Sequence, residues 1–159
     1  EDGIRFAELL GERIPTIGRT DYFVAKFSPD LEPVWIRTAG SDQFDFGTVV
    51  RVAENGDIVV TGVFQGTMDF HGQELSHLGR SDSFIARYDS SGNLLWVQTI
   101  NGDESVVIDG LAMDAAGDIF VTGRHDVVPQ VKMSHKAEQT AQIVQTDTGV
   151  DRPAAPISC

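Results

Sequence analysis

An all-β fold of tandem four-stranded units is what the sequence predicts, on three observations. The chain repeats itself: a shift of 61 residues lays positions 11–62 on positions 72–123 without a gap, and 15 of those 52 positions are identical. Short runs rich in β-branched and aromatic residues come in pairs, each pair joined by a turn-forming segment. No part of the repeat carries a helical apolar period. A fixed period of this length marks a repeat architecture, in which each unit buries its apolar face only against its neighbours.

Taken in order, the first strand pair is residues 21–27 with 34–39, across 28–33. The second is 48–53 with 57–64, joined by Glu54-Asn55-Gly56. Asn-Gly between such runs is the strongest short hairpin signal, because a two-residue turn needs positive φ at both central residues. The third pair is 83–88 with 94–100 across Asp89-Ser90-Ser91-Gly92-Asn93, and the fourth is 111–114 with 118–122 across Ala115-Ala116-Gly117. The copy lying wholly inside the chain, about 48–101, therefore holds four short antiparallel strands. Between its second and third strands runs a long connection, 65–81, containing Asp69-Phe70-His71-Gly72, with a counterpart through 4–20. It explains a period above the ~40–45 residues of a minimal propeller blade, and is expected to form an extra hairpin or an ordered rim loop.

Alternation assigns the faces. Phe23, Ala25 and Phe27 share one face, and Phe84, Ala86 and Tyr88 repeat it. The small alanine at its centre lets a neighbouring sheet approach closely. In 34–38 and 95–99, Trp35 and Trp96 point opposite to the alternating aliphatic positions, so both faces are partly apolar. A sheet apolar on both faces is sandwiched between others, as when blades stack around an axis. The expectation is β-propeller-type blades of four antiparallel strands, about two blades in all.

Composition narrows the function. With 159 residues, 41% of them hydrophobic, the chain can build a real core. The net charge is -12, and residues 1–123 carry all of the excess. Such a surface repels phosphate backbones, which argues against nucleic acid and anionic membranes, and it fits solubility, divalent cations or a basic partner. Cys159 is the single cysteine, so no intrachain disulfide forms. No stretch approaches ~18 consecutive apolar residues, and no basic-then-apolar N-terminal segment is present. Glu1 in place of Met reads as a processed chain or a piece of a longer one.

The pattern Asp82-x-Phe84-Ile85-Ala86-Arg87-Tyr88-Asp89-x-x-Gly92-Asn93-x-x-Trp96 resembles the bacterial seven-bladed β-propeller (SBBP) repeat. So does Ala112-x-Asp114-x-x-Gly117-Asp118-Ile119-Phe120-Val121-Thr122-Gly123. The segment Gly66-Thr67-x-Asp69-Phe70-x-Gly72-x-x-Leu75-x-x-x-Gly79 is similar to the long-period version found in secreted and surface-attached proteins. The resemblance covers about 4–123. It implies four-stranded blades outside the cytoplasm, no shared catalytic residues, and a role in binding or scaffolding.

After Gly123 the register breaks, with Arg124-His125-Asp126-Val127-Val128-Pro129 where the repeat would continue as Val63-Phe64-Gln65-Gly66-Thr67. The division is thus 1–123, tandem repeats, and 124–159, a non-repeat flexible tail with a short helix conceivable over 133–145. A propeller closes with about 4–8 blades, so two leave edges and one apolar face uncovered. The chain reads as a piece of a larger propeller, with a ring of several copies or a collapsed two-repeat sandwich as alternatives.

Each candidate site has an ordinary explanation beside it. Asp69, His71, Glu74 and His77 form the most metal-like cluster, yet the matching positions are Glu8, Leu10, Arg13 and Thr16, so loop decoration is favoured. Asp57/Asp118, Asp21/Asp82 and Asp42/Asp103 recur at the period and could serve calcium. None sits in a D-x-D-x-D-G loop, and turn chemistry explains them better. Trp35 and Trp96 could be stacking platforms, but one per period inside a strand fits packing between units. His125 and His135 have no partner in sequence, and no nucleophile-elbow spacing occurs. No catalytic, cofactor or metal residue is therefore assigned. The expected function is a non-catalytic extracytoplasmic module that binds a protein or carbohydrate, or self-associates to complete a ring. The alternatives are a propeller-type enzyme with chemistry in rim loops, where His71 and His77 lack repeat partners, and a truncated remnant.

Overall fold

The computed structural model describes residues 5–9, 11–126, 130–132 and 141–143, and every regular element among them is a strand. In chain order these are β1 (Arg5–Leu9), β2 (Glu12–Thr16), β3 (Tyr22–Phe27), β4 (Pro33–Ala39), β5 (Phe46–Val52), β6 (Ile58–Phe64) and β7 (Thr67–Phe70). They continue as β8 (Gln73–Ser76), β9 (Asp82–Tyr88), β10 (Leu94–Asn101), β11 (Val106–Met113), β12 (Ile119–His125), β13 (Gln130–Lys132) and β14 (Ala141–Ile143). The protein is all-β.

The complete unit is the antiparallel sheet β5-β6-β9-β10, with β7–β8 a separate hairpin inserted between its second and third strands. Shifting by 61 residues turns β1–β2 into β7–β8, β3–β4 into β9–β10, and β5–β6 into β11–β12. The copies match in detail. Val34 and Leu95 are equivalent bulges, both exposed, and Thr48 and Asp109 are another equivalent pair.

The four main hairpins share one turn. In each, a backbone bond closes three loop residues, and the third has left-handed φ: Gly56, Gly92, Gly117 and, alone without glycine, Leu31 at 64°. This corrects the Asn55-Gly56 expectation. Asn55 is not in the left-handed region; the loop is a type I turn followed by a left-handed residue, not a two-residue turn with both φ positive. The two-residue type does occur at His71-Gly72, where both φ values are positive and Phe70 pairs with Gln73.

The junctions between units also repeat. The Arg19 N–H donates to the Gln43 carbonyl at 2.9 Å and the Asp45 N–H to Thr20 at 2.8 Å; the second junction has Arg80 to Glu104 at 2.5 Å and Val106 to Ser81 at 3.0 Å. Gly18 and Gly79 lie against the Ser41 and Glu104 carbonyls so closely that a Cβ would overlap them. Both glycines are in the shared set because the crossing strands touch there.

Two cores flank the central sheet. On one face Val60, Phe84, Ala86, Tyr88 and Val97 pack with Tyr22, Val24 and Ala39 of β3–β4 and with Met68, Phe70 and Leu75 of the inserted hairpin. On the other, Val59, Ile85 and Ile100 pack with Val106, Ile108, Leu111, Ile119 and Val121 of β11–β12. Strands β6 and β9 are buried along their whole length, whereas β4 and β10, the strands read as apolar on both faces, are only partly buried.

Some expectations need adjusting. Trp96 is half-buried, not fully enclosed, and Leu95 leaves the alternation because it is bulged out. The fourth pair begins at Val106, five residues early, since Asp109-Gly110 conceals an apolar strand with a bulge in it. Strand β12 runs to His125, past the register break, and the segment read as a tail supplies β13 on the edge of β10 and β14 parallel to β12. Most of 133–145 lies outside the described residues.

Candidate functional site

The strongest surface feature lies along the edge of β3. Strand β9 pairs on both sides, with β6 and β10, whereas its equivalent β3 pairs only with β4 among the described strands. The space that a β6 equivalent would fill is a groove of about 460 Å³ between β3 and β5, lined by residues 20–25 and 46–50 with Val60 and Thr61 beneath. It presents Phe23, Phe46 and Val50 to solvent beside the unpaired backbone of β3. Such a groove accepts an extended strand: backbone groups supply hydrogen bonds and alternate side chains find apolar contact.

A second feature clamps adjacent units together. Three side chains of β3–β4 donate to the β9–β10 turn: Lys26 Nζ to the Ser90 carbonyl at 3.1 Å, Trp35 Nε1–H to Ser90 at 3.3 Å, and Arg37 Nε–H to Gly92 at 2.7 Å. The indole lies flat on Gly92, where a Cβ would come within 2.7 Å of the ring, and the Arg37 guanidinium sits 5.6 Å from its centroid. Trp35 is thus a packing residue. On its far side a hollow of about 350 Å³ is lined by Arg13, Pro15, Pro33 and Val34.

The metal-like cluster does not converge. Asp69 Oδ1 accepts the Gly72 N–H at 2.7 Å and closes the hairpin turn. His71 packs edge-on against Phe70 and Tyr88, with Nε2 3.3 Å from the Tyr88 hydroxyl, while His77 Nδ1 is 2.8 Å from the Gly79 carbonyl. Burial, then the nearby Arg37 charge, holds the His71 imidazole below its ordinary pKa, against an opposing pull from Asp69. Glu74 faces Asp69 across the hairpin. Among the described residues no group of three or more His, Cys, Asp or Glu side chains could hold a metal ion.

Of the periodic aspartates, Asp21 and Asp82 brace backbone. Asp21 accepts the Ile17 and Gly18 N–H groups at 2.8 and 3.0 Å, and its equivalent Asp82 accepts Leu78 and Gly102 at 2.6 and 3.0 Å. Asp57 holds Arg87 at 2.9 Å, and Asp118 donates its N–H to Asp114 within the turn. Asp42 and Asp103 are exposed in equivalent bends. His125 ends β12 opposite Val106, and His135 lies outside the described residues.

Sequence reasoning did not single out Tyr22 or Asp45. The Tyr22 ring stacks on Phe70 at 5.6 Å and meets Phe84 edge-on at 5.0 Å, and its buried hydroxyl, beside that of Tyr88, completes no hydrogen bond of good geometry among the described residues. Its equivalent, Ser83, instead bonds the Val106 carbonyl and the Ile108 N–H. Gly47 replaces the Ile108 equivalent and makes room for the ring, a compensation visible only with both copies aligned. Buried Asp45 accepts from Ser41 and Gln65; loss of solvation nevertheless holds its carboxyl above the usual range. Comparison with protein-family models and with curated proteins gives no match for this chain.

Proposed function

We propose that the chain is a non-catalytic repeat module of β-propeller type, working outside the cytoplasm by binding or scaffolding. One observation carries the reading: the central four-stranded sheet is covered on its two faces by the equivalent strand pairs β3–β4 and β11–β12, through junctions whose backbone hydrogen bonds recur. Units that stack in this way by a constant rotation build the extended rims and channels that repeat proteins use for binding. The SBBP resemblance adds the extracytoplasmic setting, and the acidic surface turns it away from nucleic acid. The titratable side chains brace turns and junctions, which suits a scaffold better than a reaction centre.

The ligand classes that fit are a protein that adds an extended strand at the β3–β5 groove and a carbohydrate at the rim. Titration of the purified chain against peptide and glycan arrays, followed by thermal-shift measurement, tests the reading. Saturable binding to one class, weakened by Phe46→Asp, is expected. Chemical conversion of a bound compound would overturn the non-catalytic assignment.

A further inference from the structure

We infer that the groove beside β3 receives β12 of a second copy of this chain, so that β11-β12 of one molecule and β3-β4 of the next form a single four-stranded sheet. This rests on the stacked-unit reading above and adds the occupant, its direction and its register. The argument is the repeat itself. Strand β12 is the 61-residue equivalent of β6, and β3 that of β9. Transferring the antiparallel β6–β9 register gives Ile119 opposite Phe27, Val121 opposite Ala25, Gly123 opposite Phe23 and His125 opposite Asp21.

Side chains agree with that register. Phe84 is 0% exposed with its ring over Gly62, and Tyr88 is 0% exposed; their counterparts Phe23 and Phe27 are 53% and 37% exposed. Gly123 stands where Gly62 stands, so the Phe23 ring has the same bare backbone to lie on. Charge agrees as well: Arg87 holds Asp57 across the sheet, and Lys26 and Asp118 take those two positions. The apolar face of β3 carrying Phe23 and Phe27 would then close over the core that Ile85 and Ile100 share with β11–β12, as the Phe84 face closes over Tyr22 and Val24. Strand β14 lies parallel along Ile119 to Val121 on the β12 edge, and the incoming antiparallel strand displaces it.

The test is the solution mass of the full chain by light scattering across a dilution series, for the wild type, Phe23→Asp, Lys26→Asp and the pair Lys26→Asp with Asp118→Lys. Circular dichroism checks that each variant keeps its sheet; Phe23 and Lys26 are exposed in the single chain, and because Lys26 also donates to the Ser90 carbonyl, recovery in the Lys26–Asp118 pair separates the contact with Asp118 from the clamp. Expected is a closed multimer for the wild type, dissociation at least tenfold easier for each single variant, and recovery in the pair. A folded wild-type monomer at all concentrations overturns the inference and leaves the stacked-unit reading standing. A multimer indifferent to both single variants overturns it too, since assembly then uses another surface. Loss of sheet signal or of cooperative unfolding in the wild type would count against the stacked-unit reading itself.

Discussion

The contact between Trp35 and Gly92 joins two units across 57 positions of sequence, and a double-mutant cycle measures it directly. Trp35 is half-buried. A tryptophan side chain presents about 200 Å², so about half of that at about 25 cal/mol per Å² is worth about 2.5 kcal/mol. The exposed indole bond to Ser90 adds about 0.5 kcal/mol. Trp35→Ala should therefore cost about 2–3 kcal/mol. In Gly92→Ala the new Cβ meets the indole at 2.7 Å and the residue sits at a φ of 82°. Left-handed backbone costs a non-glycine residue about 1–2 kcal/mol, and the collision adds about 1–2 kcal/mol of overpacking. Once the indole is gone only the backbone cost remains, so the double variant should be about 1–2 kcal/mol more stable than the sum of the singles. Gly117→Ala is the control, because its φ is 90° and nothing lies within 4 Å of the added carbon. Urea unfolding followed by circular dichroism supplies all four corners of the cycle. Additivity within about 0.5 kcal/mol would refute the flat indole contact and, with it, the clamp between units.

Three further outcomes are expected. Leu31→Gly should stabilise by up to about 1 kcal/mol, since Leu31 alone among the four equivalent turn residues carries a side chain in the left-handed region, 77% exposed; a lower urea midpoint would count against this turn geometry. Tyr22→Phe should leave stability unchanged or raise it by about 1 kcal/mol, because the deleted hydroxyl is buried and completes no hydrogen bond of good geometry with a described residue; a loss above about 2 kcal/mol would mean that it is satisfied, the neighbouring Tyr88 hydroxyl being the partner at hand. Because His71 binds its proton less readily folded than unfolded, its contribution is complete above the ordinary value of 6.5 and is lost as pH falls below it towards the lowered folded value. His71→Gln should flatten the fall in melting temperature over that window, and an unchanged slope would assign it to another group.

The strands were legible because three signals coincided at one period: β-branched runs, turn residues between them, and paired apolar faces. The inserted hairpin was legible as a hairpin or loop from Asp69-Phe70-His71-Gly72, and the structure makes it the hairpin. Where signals conflicted, the reading slipped. Asp109-Gly110 broke the apolar run that would have placed β11 from Val106, and Asn55-Gly56 suggested a tighter turn than the strands adopt. The clamp was hidden for another reason. Nothing in the sequence marks Lys26 or Arg37, and only the tertiary position of the Ser90 and Gly92 carbonyls makes them hydrogen-bond donors between units.

The groove shows why a repeat sequence says more about assembly than about chemistry. Each strand is specified for a neighbour on both sides, so Phe23 and Phe27 carry the aromatic character of Phe84 and Tyr88 although β3 has no β6 equivalent beside it here. A position selected only as surface has no physical reason to keep that character. The same logic separates the two tryptophans: Trp35 rests on the turn of the following unit, whereas the corresponding turn beyond Trp96 is not among the described residues, and Trp96 packs half-buried on the core that Val59, Ile85 and Ile100 share with β11–β12. Trp96 is half-buried in the single chain, so by the same reckoning Trp96→Ala should cost about 2–3 kcal/mol there. A neighbouring unit docked on it would bury the rest of the indole and raise the loss towards about 5 kcal/mol, and the difference between assembled and diluted protein reads out how far the stack extends.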